Sequence, residues 1–198
     1  MQSLYDKGLT PEQMIARLPD FAKQIQALAS ELKLELNDCY ADHIALRIND
    51  SDQARELHQL WLALGEEISV NQINGRPIVV IRLHQPLRVA HWNIELLELP
   101  YPGEKSYPEE GWEHIEWVIP TKQAQPERFY QQLWERFPAF ARIHDSEQLR
   151  ALGIKAKQSS PSAEHERLPN PTLALKKDGV CIKLHPYSLA EVIASEQG

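Results

Sequence analysis

Two histidines stand at the heads of strand-like stretches that lie far apart in the chain. Residues 40–50 read YADHIALRIND, and residues 112–120 read WEHIEWVIP. In each stretch an acidic residue precedes the histidine, His43 or His114, and alternating apolar positions follow. Imidazole nitrogen and carboxylate oxygen together suit divalent Fe, Mn, Co, Ni or Zn. Whether these side chains can share an ion depends on the elements that carry them.

The first stretch alternates as a half-buried strand does. Its isoleucines lie on one side, while His43 and Arg47 lie on the other. Arg47 is therefore predicted either to bind an anionic substrate or to form a structural ion pair. Because neighbouring strand residues face opposite ways, we expect neither Asp42 nor Glu113 to contact the histidine that follows it.

The order of elements occurs twice along the chain. Residues 10–36 read as helices interrupted at Pro19, and about 42–102 then read strand, helix and three strands. About 112–190 repeat that order more loosely, and LLELPYP (96–102) resembles CIKLHPY (181–187). The pattern predicts an α+β protein with two β-α-β-β-β units. We assign residues 1–38 to an N-terminal helical appendage and 39–198 to the main domain.

Composition restricts the classes of partner. The chain has 198 residues and a formal net charge of -7, which disfavours nonspecific binding to nucleic acid. No apolar run approaches the ~20 residues of a membrane helix, and no secretion signal follows Met1. Cys39 and Cys181 form no spaced metal pattern and are expected to be reduced thiols. These features predict a cytoplasmic protein with a small-molecule partner.

Several longer motifs carry a resemblance to a known family. They are INGRPI, VAHW, ELPYPGEK, GWEHIE, SSP, EHERLPNPTLA and HPYS. With these motifs the chain resembles the bacterial YecM family over nearly its whole length. From about residue 42 it also resembles the vicinal oxygen chelate superfamily, which includes glyoxalase I, methylmalonyl-CoA epimerase, extradiol dioxygenases and bleomycin-resistance proteins. The resemblance implies that the two units form a cup-shaped mixed sheet.

The same resemblance implies metal ligands on the first and fourth strands of each unit. It assigns His43 and His114 to the two first strands. For the fourth strand of unit one, the superfamily pattern favours Glu98, in ELPYP. Simple alternation favours Glu95 instead, unless a bulge turns Glu98 inward. We choose Glu98 and keep Glu95 as the alternative.

The last strand departs from the superfamily pattern. Lys183 stands where many members have glutamate, and a protonated amine cannot ligate a metal. We expect Lys183 to bind a substrate carboxylate, or to act as a base if burial lowers its pKa. His185 shares its strand face and is a candidate fourth ligand. The polar loop that follows Ser159 is a candidate lid, from which His165, Glu166 or Arg167 would reach into the cup.

These assignments predict a metal-binding protein. The first hypothesis is a metal-dependent isomerase, epimerase, lyase or dioxygenase that acts on a small oxygenated anion, with Zn, Mn, Ni, Co or Fe as the ion. The alternative is a metal-free module of the same fold that sequesters a small molecule. Because one chain contains both units, it is predicted to be a monomer.

Overall fold

The computed structural model describes residues 2–73, 75–121, 126–159, 168 and 170–196. The strands of this part of the chain are β1 (Tyr40–Arg47), β2 (Gly65–Ile73), β3 (Arg76–Val89), β4 (Trp92–Pro100), β5 (Gly111–Val118), β6 (Lys155–Ser159), β7 (Thr172–Lys177) and β8 (Val180–His185). The helices are α1 (Pro11–Ala16), α2 (Leu18–Glu31), α3 (Ser51–Leu62), α4 (Pro126–Arg136), α5 (Pro138–Ala141), α6 (Ser146–Ala151) and α7 (Leu189–Glu196).

The described strands form one mixed sheet in the order β2-β3-β4-β1-β5-β8-β7-β6. β1 and β5 are antiparallel neighbours at its centre, and each has the last strand of its own unit as a parallel neighbour on the other side. The predicted α+β architecture of two β-α-β-β-β units is therefore confirmed. α5 and α6 are additions to the second unit that the sequence pattern did not indicate.

Local signals explain where several elements begin and turn. The Thr10 side chain caps α1, and the side chain of Gln13 bonds back to the Thr10 backbone. Between β7 and β8, Asp178 and Gly179 have φ values of 47° and 85°, as a two-residue hairpin turn requires. In the hairpin predicted between β2 and β3, Gly75 has a φ of 74°, while Asn74 lies outside the described residues.

A continuous apolar core joins the N-terminal helices to one face of the sheet. Ile25 of α2, Trp117 of β5 and Ile182 of β8 are fully buried members of this core. The boundary at residues 38 and 39 stays a prediction, because the helices and the sheet share these buried side chains. Among the described residues, no helix has both the length and the apolar character needed to cross a membrane.

The C-terminal helix α7 was not predicted from the sequence. Ser188 and Glu191 form a reciprocal capping box at its start. Ile193 on this helix packs against Val80 and Leu96 in a second, smaller apolar cluster. The backbone N–H of Leu189 donates to the Asp42 side chain, so the helix begins beside the first histidine strand.

Candidate metal centre

Two irregularities in the pairing of β1 with β5 place the acidic neighbours of the histidines. Asp42 is an extra residue between the pairs Ala41–Trp117 and His43–Glu116. Glu113 is the extra residue in the corresponding shift on β5, next to His114. A bulge of this kind breaks the strict alternation of side chains. The expectation that Asp42 and Glu113 would point away from their histidines was therefore wrong.

Each of these carboxylates binds the histidine that follows it. Oδ2 of Asp42 lies 2.8 Å from Nδ1 of His43, and Oε2 of Glu113 contacts Nδ1 of His114. A carboxylate can only accept, so Nδ1 must carry the hydrogen in both rings. The Nε2 atoms are the ones left to bind another group. Outer carboxylates orient histidine ligands in metal sites in the same way.

The two Nε2 atoms converge with two carboxylates. Nε2 of His43 lies 3.0 Å from Oε2 of Glu98 and 3.3 Å from Oε1 of Glu116. Nε2 of His114 lies 3.1 Å from the same Glu116 oxygen. One ligand atom from each of the four residues falls within 4.8 Å of all the others. The two imidazole rings are 6.2 Å apart, centre to centre.

This donor set fits a divalent transition metal. Metal–ligand bonds of about 2.0–2.2 Å place neighbouring ligand atoms of one ion roughly 3 Å apart, close to the separations found here. His43 is 2% exposed, and its Nε2 atom faces the carboxylates of Glu98 and Glu116 without forming a well-aligned hydrogen bond to either. Buried polar atoms normally have a partner, so this nitrogen is available to a ligand. The set contains nitrogen and oxygen atoms and no thiolate, as Fe, Mn, Co, Ni and Zn accept.

Charges inside the cluster keep its carboxyl groups ionised. Burial raises the pKa of Glu98, but the 3.0 Å contact with Nε2 of His43 and the charge of that ring outweigh burial and lower the pKa to about 2. Burial also raises the pKa of Glu116, but the positive charges of Lys183 and His43 outweigh burial and hold that pKa well below its ordinary value. For His43 burial lowers the pKa, but the charge of Glu116 and the hydrogen bond that the ring donates to Asp42 raise it well above its usual value. A metal ion would replace the proton of His43.

The structure separates Glu98 from Glu95. Glu98 lies at the cluster, while Glu95 is exposed and has no ligand atom in the convergent group. The reason is a register shift, in which residues 83–86 of β3 have only Glu95 opposite them on β4. Ile94 packs in the large core and Leu96 in the second cluster, so β4 changes face at this point. Alternation counted from Ile94 therefore gave the wrong face for Glu98.

Glu116 is a member of the cluster that the sequence analysis missed. It follows His114 by two residues on β5, so both side chains share a strand face. Its side chain is 9% exposed and lies within 3.3 Å of both histidines. The signal was present in WEHIEWVIP, because period-two spacing from His114 leads directly to this glutamate.

Lys183 lies inside the cluster as a cation. Its Nζ atom is 2.7 Å from Oε1 of Glu116 and 3.0 Å from Nε2 of His114. Burial lowers the pKa of Lys183, but the charges of Glu116 and Glu98 raise it above its ordinary value. The ammonium form is thus favoured, which argues against the predicted role as a base and fits the predicted role in binding an anion.

His185 is held in one tautomer by its neighbour Asn170. The Asn170 amide bonds both the N–H and the C=O of Tyr187, which fixes its orientation, and its Nδ2 donates to Nδ1 of His185. Nδ1 is thus an acceptor, and the hydrogen of the neutral ring is on Nε2. This buried Nε2 has no hydrogen-bond partner and lies 3.7 Å from Asp42 and 3.8 Å from Glu116. Such a ring presents a donor, whereas a ligand role needs the other tautomer.

Arg47 occupies the predicted face beside the cluster. Nη2 of Arg47 pairs with Glu113 at 3.1 Å, and its guanidinium lies over the Tyr107 ring. Lys176 reaches the other oxygen of Glu113 at 2.8 Å. The buried Nε and Nη1 atoms of Arg47 have no hydrogen-bond partner. Arg47 therefore forms the ion pair that was one alternative, and it keeps donors for the other, an anionic ligand.

Sequence and structure comparisons identify the family. The family model described as YecM protein matches residues 10–196. The chain belongs to the YecM family. It is 46% identical over 180 residues to Protein YecM of Escherichia coli, covering 91% of this chain and 90% of that protein. It is 36% identical over 183 residues to an uncharacterized protein of Haemophilus influenzae, covering 90% of this chain and 91% of that one.

A solved structure described as a structural genomics protein, EC4020, is 39% identical to the chain. The match has a TM-score of 0.79 and covers 96% of this chain and 93% of that one. In this YecM-family protein, the candidate lid residues His165, Glu166 and Arg167 lie outside the described residues. Their place above the cup stays a prediction.

Proposed function

We propose that the protein is a metal-dependent enzyme of the vicinal oxygen chelate type that acts on a small oxygenated anion. The ion would be held by two histidines and two glutamates, His43, Glu98, His114 and Glu116. The observation that carries this proposal is the convergence of one ligand atom from each residue to within 4.8 Å. All four come from one chain, which supports the prediction that a monomer completes the site.

The residues around the four ligands have separate tasks in this proposal. Asp42 and Glu113 hold the imidazoles so that both Nε2 atoms point at the same place. Arg47 and Lys183 attract the substrate anion, and His185 offers its Nε2–H to a substrate oxygen. When bound, the metal would polarise a substrate oxygen or lower the pKa of a water molecule.

The charge of the surroundings supports an anionic substrate. Asp42 and the three glutamates, Glu98, Glu113 and Glu116, face three cationic side chains, those of Arg47, Lys176 and Lys183. With one proton on His43, these four negative and four positive charges cancel. A divalent ion in place of that proton would add one positive charge to the site. Uncompensated charge is costly in a buried site, so a bound anion would be favoured.

The class of reaction depends on which ion is bound. Zn, Mn, Co or Ni would suit an isomerase, epimerase or lyase that moves a proton next to a carbonyl group. Fe(II) bound by histidine and carboxylate would instead suit a dioxygenase. Both classes of reaction are compatible with the site, because nitrogen and oxygen ligands of this kind bind each of these ions.

A metal-free binding module is the second candidate function. The observation that favours it is the ammonium of Lys183, which already pairs with Glu116 and His114. In that reading the cationic groups Lys183 and Arg47 would bind an anion without a metal.

Metal analysis separates the two candidates. We expect protein purified without chelator, or reconstituted with Mn(II), Zn(II), Ni(II), Co(II) or Fe(II), to hold about one ion per chain by elemental analysis. His43→Ala and His114→Ala should each lose the ion and stay folded, since a core of this size does not need a metal. His84→Ala, at an exposed histidine, is the matched control and should keep it. An unmetallated wild-type protein after reconstitution would leave the metal-free module as the function.

A further inference from the structure

The Nε2 atom of His114 has one lone pair, and Lys183 already uses it. Glu113 takes the hydrogen bond from Nδ1. Nε2 lies 3.1 Å from Oε1 of Glu116, which would be its partner if it carried a hydrogen, but the ammonium of Lys183 at the same nitrogen requires a lone pair there. Nζ of Lys183 lies 3.0 Å from this Nε2, and an ammonium group can only donate. The contact is therefore a hydrogen bond from Lys183 to His114.

A metal ion would need the same lone pair. An imidazole nitrogen has a single in-plane lone pair, so it cannot accept a hydrogen bond and coordinate an ion together. A carboxylate differs, because its two oxygens offer about four lone-pair sites. Lys183 can therefore keep its 2.7 Å bond to Glu116 while an ion binds, but it cannot keep the bond to His114.

We infer that the ammonium of Lys183 and the metal ion compete for Nε2 of His114, and that metal binding frees one N–H of Lys183 for an oxygen of an anionic substrate. This inference rests on the proposed metal site. It makes Lys183 a determinant of metal affinity, and it predicts that metal binds before the anion. The side chain is 22% exposed, so the ammonium has room to turn toward solvent and an arriving ligand.

The test is the affinity for Zn(II) and Mn(II), measured by competition with a chromophoric chelator. Lys183→Met removes the ammonium group that competes with the ion for Nε2 of His114. The variant should therefore bind each ion about tenfold more tightly than wild type, or more. Lys176→Met is the matched control. It removes a positive charge next to Glu113 without touching a ligand atom, so its affinity should rise by less than about threefold.

A double variant separates competition from simple charge repulsion. Unlike alanine, glutamine has a side-chain oxygen with two lone pairs, so His114→Gln should bind metal more weakly but measurably at higher metal concentrations. In this background Lys183→Met should lose most of its effect on metal affinity, because the contested lone pair is gone. An undiminished effect in that background would overturn the inference, as would equal affinities for wild type and Lys183→Met. Both results leave the metal site intact, whereas failure of every variant and of wild type to bind metal would overturn the site as well. Circular dichroism would check that each variant is folded.

Discussion

Asp42 and Leu189 are 147 positions apart in the chain and meet through a single oxygen. Oδ2 of Asp42 accepts the backbone N–H of Leu189 at 2.9 Å and Nδ1 of His43 at 2.8 Å. The first residue of α7 and the first candidate ligand are thereby tied to the same fully buried carboxylate. Asp42 is thus both a structural anchor and the group that orients His43.

Asp42→Ala is expected to weaken both functions of this carboxylate. Metal affinity should fall by about 10–100-fold, as for other outer-shell partners of histidine ligands. The free energy of unfolding should fall by about 1–3 kcal/mol, because the N–H of Leu189 loses its acceptor. Chelator competition and urea unfolding measure the two effects. Asp20→Ala, at an exposed aspartate, should change neither, and an unchanged affinity in Asp42→Ala would contradict the orienting role.

Glu98→Gln and Glu95→Gln form a matched pair on one strand. The first removes a charged ligand and should reduce metal affinity at least as much as an outer-shell change, by about 10–100-fold or more. The second alters an exposed side chain and should leave metal affinity at the wild-type value. Titration of both proteins with Zn(II) checks this, and the reverse order of affinities would restore Glu95 as the ligand.

The metal-free protein should lose stability as acid protonates Glu98. The folded-state pKa is lowered from 4.5 to about 2, so the unfolded chain takes up the proton first as the pH falls. This stabilisation is complete above about pH 4.5 and is lost between about pH 4.5 and 2, at a cost of roughly 3 kcal/mol. Urea unfolding at a series of pH values measures the slope.

Glutamine does not titrate, so Glu98→Gln should show a flatter dependence of unfolding free energy on pH in this window. Glu95→Gln should keep the wild-type slope. If wild type and Glu98→Gln lost stability in parallel between pH 4.5 and 3, the ion pair of Glu98 with His43 would not be the cause.

The tautomer of His185 should depend on Asn170. Nitrogen NMR of the wild-type protein is expected to show the hydrogen on Nε2, since Asn170 donates to Nδ1. In Asn170→Asp the carboxylate can only accept, so the hydrogen should move to Nδ1. His185→Phe should retain metal in contrast to His43→Ala. Loss of metal from His185→Phe would make His185 a ligand, as the second convergent group of Asp42, His43 and His185 permits.

The sequence predicted the two units because strand and helix periods are strong local signals. It also predicted that His43, Glu98 and His114 would meet, through the family resemblance. Alternation alone was insufficient at the site, because Asp42, Glu113 and Glu95 each lie at a shift in strand register. Such shifts arise from pairing between distant segments, which a local pattern does not contain.

Features of the structure that the sequence did not predict are of two kinds. Glu116 and the capping box of α7, formed by Ser188 and Glu191, had readable local signals that were not used. The contact of Lys183 with His114 has no such signal, because it joins residues 69 positions apart on parallel neighbouring strands. The contact arises only because the fold makes β5 and β8 neighbours in the sheet.

Each half of the molecule contributes one imidazole and one carboxylate, His43 and Glu98 from the first and His114 and Glu116 from the second. Neither half on its own would hold an ion firmly, so tight binding would arise only after β1 has docked against β5. An ion that binds the docked form alone would shift the folding equilibrium toward it, acting as a reversible cross-link between the halves. Resistance to proteolysis at the junction between the halves would then rise with the concentration of free metal.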